Sequence, residues 1–214
     1  MFEEILPKNA KKSLALIGES GLLKNAYLAG GTALALQLGH RESIDFDFFT
    51  AQAFDETAMV QRLNKLLGDF YLERKEWRTI LGYVGKTRFS YFFYEYPLLF
   101  KPKKWNGVDL ADPKDIAAMK IAALADRGMK RDFIDLYFIF EVEKLISLDE
   151  ALRIYDKKFK KLKQNKLHII KSLAYFGDAD NEKMPKMFKS VDWKRVKDFF
   201  TKEQKRIAEK TLEP

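Results

Sequence analysis

Apolar positions along this chain recur with two different periods, and the changeovers divide it into elements. Residues 8–20, KNAKKSLALIGES, repeat apolar side chains every three to four positions and meet Gly21, which predicts a short amphipathic helix with a glycine stop. A brief apolar strand follows over 26–29, then a turn at Gly30-Gly31, an apolar helix over 32–38 and a strand over 44–49, together a βαβ-like unit. Asp55 or Thr50 can cap the next helix, which runs to about 67 with Met59, Leu63, Leu66 and Leu67 on one face and Gly68 as its stop. Residues 70–77, 79–84 and 87–94 read as three strands, the last two joined at Gly85-Lys86. In the third, Phe89, Tyr91 and Phe93 alternate with Ser90, Phe92 and Tyr94, so both faces are aromatic and a strand covered on both sides is expected. The segment 97–106, PLLFKPKKWN, reads as a basic loop, with a domain boundary just beyond it. From there the signals are helical: 113–126 stopping near Gly128, a helix from about 131, and a capping box Ser147–Glu150 opening a helix that runs into the lysine-rich 157–166. Further helices are expected at about 167–176 and 192–212, with 177–188 an exposed loop. The expected fold is α+β: residues 1–108 form a mixed β-sheet with flanking helices, and residues 109–214 form a helical domain.

Within this pattern, residues 27–50 bring together two chemically distinct features. Gly30 and Gly31 let a backbone approach a ligand, and Thr32 stands where a helix start offers N–H groups and a positive dipole end to phosphate. Asp45 and Asp47 are two apart on a strand and leave the same face. Two carboxylates side by side repel, and a hard divalent ion with oxygen ligands, magnesium or manganese, resolves that conflict. An ordinary capped turn and the polar face of an amphipathic strand are the plainer explanations, although Ile44, Phe46 and Phe48 make the opposite face strongly apolar. Further on, Lys120 sits in the apolar stripe of its helix among Ile116, Ala117, Ala123 and Leu124. It must therefore snorkel out, pair with a core aspartate or meet an anion such as phosphate.

The string Gly30-Gly31-Thr32 through Asp45-x-Asp47 resembles the nucleotidyltransferase superfamily. With His40-Arg41-x-Ser43 between them and Phe48-Phe49 after, it resembles the AbiEii/AbiGii-type minimal nucleotidyltransferases, many of them toxins of bacterial toxin–antitoxin systems. Lys120, Arg127-Gly128 and Arg131-Asp132-x-x-Asp135-Leu136-Tyr137 resemble the second motif block of that family, the likeness covering about residues 20–145. The resemblance implies a nucleotidyltransferase-like sheet domain, metal held by Asp45 and Asp47, triphosphate at Gly30, Gly31 and Thr32, a phosphate contact at Lys120 and a functional acid at Asp132. Asp135 is the alternative for that acid, or fixes Lys120 or Arg127 by a buried salt bridge; the sequence does not decide between the two aspartates. The third carboxylate that many such enzymes carry on a later strand is absent from 87–94, and Glu95 and Asp109 are weak substitutes.

Composition narrows the rest. With 214 residues, 47% of them hydrophobic, the chain can bury a substantial core. It has no cysteine and only His40 and His168, which excludes disulfides, thiolate chemistry and histidine-rich metal sites. No apolar run is of bilayer-spanning length and the N-terminus lacks a signal-peptide order, so no membrane association and a cytoplasmic location are expected. Residues 151–214 hold 18 Lys+Arg against 9 Asp+Glu, while the first 150 hold 21 against 22, so the net charge of +8 lies in the last third. That surplus points to a polyanion, RNA first. The expectation is a metal-dependent enzyme moving a nucleotide from a nucleoside triphosphate (NTP) to RNA, such as the 3′ end of tRNA, with a cognate antitoxin as partner. A non-catalytic nucleotide-, RNA- or partner-binding module and a protein-nucleotidylating enzyme are the other readings.

Overall fold

The strands Tyr27–Ala29 (β1), Phe46–Thr50 (β2), Phe70–Glu76 (β3), Thr79–Val84 (β4), Thr87–Phe93 (β5), Lys103–Trp105 (β6) and Val108–Leu110 (β7) form one mixed sheet. Its order is β3-β4-β5-β2-β1-β7-β6, in a computed structural model that describes residues 1–162 and 165–212. The chain divides into two compact units, Met1–Asp112 and Pro113–Pro214.

In the first unit the period-two alternation of β2 translates directly into burial. Phe46 and Phe48 are fully buried while Asp47 and Phe49 are half-buried. The parallel neighbour β5 continues both faces, with Phe46 in register with Phe89, Asp47 with Ser90 and Phe49 with Phe92. Phe48, Phe89 and Phe70 pack ring against ring at 5.6–5.8 Å on the buried side, and the helix Glu56–Leu67 (α3) adds the buried Met59 and Leu63 to the core. The opposite side is only partly covered: Arg88 is exposed, and Thr79, Leu81, Tyr83 and Phe92 are half-buried. The full cover expected on both faces of 87–94 is therefore found only mid-strand, where Phe89, Ser90 and Tyr91 are buried, while Phe92, Phe93 and Tyr94 are half-buried. Aromatic residues alone do not say whether a face is sealed or merely sticky.

The helices Lys8–Ser20 (α1) and α3 end at Gly21 and Gly68, both at positive φ, and Asp55 caps α3 by accepting from the Ala58 N–H at 2.7 Å. Between β1 and β2 the helix Gly30–Leu38 (α2) is buried almost all round, as its near-continuous apolar sequence requires. β1 and β2 nevertheless run antiparallel, so the unit is no parallel crossover; periodicity specifies element type, and strand direction is set by how the stretch 39–45 returns the chain. The segment 97–106 contains β6, which pairs with β7, and β7 runs parallel to β1. The first unit consequently extends to Asp112 rather than ending at 108. Three-residue strands are too short for alternation to be read.

The second unit is helical: Pro113–Asp126 (α4), Lys130–Tyr137 (α5), Leu148–Lys158 (α6), Lys166–Ser172 (α7), Gly177–Asp180 (α8) and Trp193–Leu212 (α9). The expected capping box is present, with Ser147 Oγ accepting from the Glu150 N–H and the Glu150 carboxylate accepting from the Ser147 N–H. α6 stops at Lys158; of the run expected to continue it, 163–164 lie outside the described residues. α5 widens into a π-turn over Phe138–Val142, closed by the Glu143 N–H donating to the Phe138 carbonyl at 2.8 Å. The loop expected over 177–188 begins with the short α8. Phe133 centres the core, its ring within 5.0–6.0 Å of Phe176, Trp193 and Phe200. Among the described residues no helix is long and apolar enough to cross a membrane.

Candidate active site

The first candidate cluster is built at the junction of β1, α2 and β2. Ala29 ends β1 in register with Asp47, and the next residue, Gly30, turns the chain into α2 at φ +67°. A Cβ at Gly30 would stand 2.9 Å from Asp47 Oδ2, so glycine is required here twice, for its backbone angle and for the closeness of the carboxylate. At Gly31 a Cβ would overlap the guanidinium of Arg41 and approach Ser43 Oγ to 2.9 Å. Thr32 is buried, and its hydroxyl donates to the Asp45 carbonyl at 2.6 Å with Ser43 Oγ 3.0 Å away. The hydroxyl thus ties the segment entering β2 to the start of α2, which fixes the backbone of Asp45 relative to the glycine turn. Asp45 lies one residue before β2, and the burial alternation runs through it: Asp45 and Asp47 half-buried, Phe46 buried. The N-cap residue Ala29 makes no side-chain bond at the N-terminus of α2, where the first-turn amides and the positive end of the helix dipole converge.

Arg41 is buried, donating one N–H to the Glu42 carbonyl at 3.0 Å, and a buried guanidinium stays charged. Arg41 and Ser43 were legible only as members of the motif string; their spacing gives no hint that they line Gly31. Ser90 and Ala29 are the register partners of Asp47 on the two adjacent strands, and Asp109 is a register partner of Tyr27 on β7, one strand further out. Glu95 is exposed beyond the end of β5.

The second cluster lies within the helical unit. Lys120 is buried, and its ammonium lies 2.7 Å from Asp132 Oδ1 and 2.6 Å from Asp135 Oδ2, both carboxylates being almost fully buried. Arg127, half exposed, reaches Asp132 Oδ2 at 3.3 Å. Two cations and two anions balance, which is the condition for holding such groups in an apolar interior. Asp135 takes the role of fixing Lys120, and Arg127 goes to Asp132. A second buried pair, Lys158 with Asp115 at 2.9 Å, joins α6 to α4, so Lys158 does not belong to the basic surface. Lys130, also buried, is held by the Glu182 backbone carbonyl.

The AbiEii toxin family of nucleotidyl transferases, of type IV toxin–antitoxin systems, matches residues 14–91 and 94–211. The chain belongs to the AbiEii nucleotidyltransferase family. This AbiEii chain is 36% identical over 210 residues to an uncharacterized Aquifex aeolicus protein, aq_aa25, covering 95% of this chain and 98% of that one. Its fold is similar to that of a proposed nucleotidyltransferase from H. pylori, with a TM-score of 0.55, 18% identity and coverage of 96% and 97%. It is also similar to MenT4, a nucleotidyltransferase toxin from Mycobacterium tuberculosis, with a TM-score of 0.50, 17% identity and coverage of 94% and 88%. The two structural likenesses carry the fold, and the family membership makes the chain a nucleotidyltransferase.

Proposed function

We propose that this AbiEii enzyme transfers a nucleotide from a nucleoside triphosphate to RNA, with Asp45 and Asp47 as the metal-holding pair and the Gly30-Gly31-Thr32 turn as the triphosphate cradle. The observation that carries the reading is the approach of the Asp47 carboxylate to Gly30, at a spot a side chain would fill. It sets an acid directly beside a helix start able to take phosphate oxygens. The donor set fits a hard divalent cation, magnesium or manganese: two half-buried carboxylates offer oxygen ligands and no soft ones. When bound, such an ion supplies charge neutralisation on the polyphosphate. The chain's own part is alignment. The α2 amides face the phosphates, and the buried Arg41 guanidinium adds fixed positive charge behind Gly31. The Thr32 bond to the Asp45 carbonyl holds the acids in place. The acceptor hydroxyl then attacks the α-phosphorus, a P–O bond forms as the bond to the β-phosphate oxygen breaks, the hydroxyl proton passes to solvent and pyrophosphate leaves.

Lys120 and Asp132 are assigned to the same reaction by the motif resemblance. A phosphate contact by Lys120 asks its ammonium to exchange one of two carboxylates for a phosphate oxygen. RNA as acceptor is supported by the basic surplus of 151–214, and tRNA in particular is carried over from the family resemblance alone. Part of that charge is paired within the unit, as in Lys197 with Asp180 and Arg206 with Glu203 and Asp149, while Lys202 and Lys205 are exposed. A cytoplasmic enzyme held in check by an antitoxin completes the proposal.

The test is to incubate the protein with each α-labelled triphosphate, magnesium and total tRNA. Label in the RNA is expected, with binding that weakens steeply as salt rises. Label in a protein band would move the acceptor to a side chain, and no label from any triphosphate would overturn the proposal.

A further inference from the structure

The side of the sheet that carries the acid pair does not end at the acids. Asp47 and Phe49 leave β2 on the same side, about 7 Å apart along the strand. From Phe49 a row of rings runs across three adjacent strands. Tyr27 of β1 lies 5.8 Å from Phe49 with planes 22° apart, and Phe92 of β5 lies 5.4 Å on the other side with planes 30° apart. Tyr94 closes against Phe49 edge-on at 5.1 Å. Phe49, Phe92 and Tyr94 are half-buried. On β4 the register partner of Phe92 is Thr79, a small half-buried side chain, so the row of rings stops at Phe92. On the opposite face of the same strands Phe46, Phe48 and Phe89 are fully buried, while Phe93 at the end of β5 is half-buried. Phe49 and Phe92 differ from Phe93 in standing on the side of the acid pair.

We propose that the Phe49–Phe92 shelf is a nucleobase-stacking site, seating a base of one of the two substrates beside the acids; the inference rests on the nucleotidyl-transfer reading and extends it to base recognition. Flat aromatic rings on a sheet surface are suited to stacking unpaired bases, and stacking on a ring face discriminates weakly among bases because each has a π-face. The base comes from the triphosphate or from the acceptor strand. Its chemistry is the same in both cases.

Phe49→Leu and Phe92→Leu keep apolar bulk and remove the ring; Phe92→Tyr keeps the ring. Equilibrium binding of magnesium NTP is compared with that of magnesium tripolyphosphate, which has no base, and KM for tRNA is measured alongside. The expected result is a loss of about five- to hundred-fold in NTP affinity in both leucine variants, with tripolyphosphate unchanged and Phe92→Tyr near the parent. If the same loss falls instead on KM for tRNA, the seated base is the acceptor's and the site stands. Equal losses for NTP and tripolyphosphate, or no loss on either substrate, overturn the site, the second outcome leaving the shelf to a protein partner. Asp47→Asn separates the two levels. Abolished transfer in Asp47→Asn alongside unaffected shelf variants rejects stacking alone, whereas full transfer in Asp47→Asn rejects the nucleotidyl-transfer assignment of the acids.

Discussion

Replacing Lys120 by methionine removes the one charge that faces both Asp132 and Asp135. Asp132 keeps Arg127 at 3.3 Å, but Asp135 is fully buried and its contact to Lys120 is the shortest in the cluster at 2.6 Å. Removing one partner of a buried ion pair costs about 3–5 kcal/mol, mostly through the uncompensated charge left behind. Against a total stability of about 5–15 kcal/mol, that is a large fraction. Urea unfolding at pH 7, followed by far-ultraviolet circular dichroism and by tryptophan emission, to which Trp193 on the Phe133 ring in the same unit contributes, measures it. The deficit also carries a pH signature. In the variant, a buried carboxylate deprived of its ammonium has its pKa raised above the unfolded value of about 3.9. The penalty is therefore absent below that value and grows as pH rises towards the raised pKa, so the gap to the parent should shrink as pH falls from 7 to 4. Lys120→Met combined with Asp135→Leu should recover most of the loss, because it removes both charges. A single variant within about 1 kcal/mol of the parent at pH 7 would show that the cluster is not the balanced buried unit described.

Gly30→Ala should lower transfer by about tenfold or more, since it forces a side chain into positive φ and against Asp47 Oδ2; single-turnover rates with saturating NTP check this. Gly31→Ala displaces the buried Arg41 and should destabilise by about 1–3 kcal/mol, read from the urea midpoint. The Asp149 carboxyl is held below its usual range, first by hydrogen bonds from Arg206 and then by Lys210. It therefore stabilises the fold above its unfolded pKa, and that contribution fades as pH falls through the lowered one. Asp149→Asn should cost about 0.5–1 kcal/mol at pH 7, and the gap should close in acid unfolding below about pH 4.

Most of what the sequence made legible is local. Glycine stops at Gly21 and Gly68, the Asp55 cap, the capping box at Ser147 and the alternation through β2 each depend on residues a few positions apart, and each is found as expected. What could not be read depends on distant partners. The antiparallel pairing of β1 with β2, the parallel pairing of β7 with β1 and the Lys158–Asp115 bond are all set by packing. Lys120 illustrates the boundary. Its place in an apolar stripe left three options open; in the fold it is paired, with two aspartates rather than one, and the phosphate contact stays a proposal. The aromatic residues of β5 mark the other limit, since hydrophobicity predicts a preference for burial and cannot show that Phe92 remains half open.

The central claim is that Asp45 and Asp47 grip a cation beneath a polyphosphate cradled at Gly30, and manganese bound to the protein can be counted directly by electron paramagnetic resonance in the presence of a non-hydrolysable triphosphate. The parent should hold the ion with the nucleotide, and Asp45→Asn with Asp47→Asn should lose it while circular dichroism stays unchanged. Manganese bound equally by the parent and by the doubly substituted protein would contradict the account.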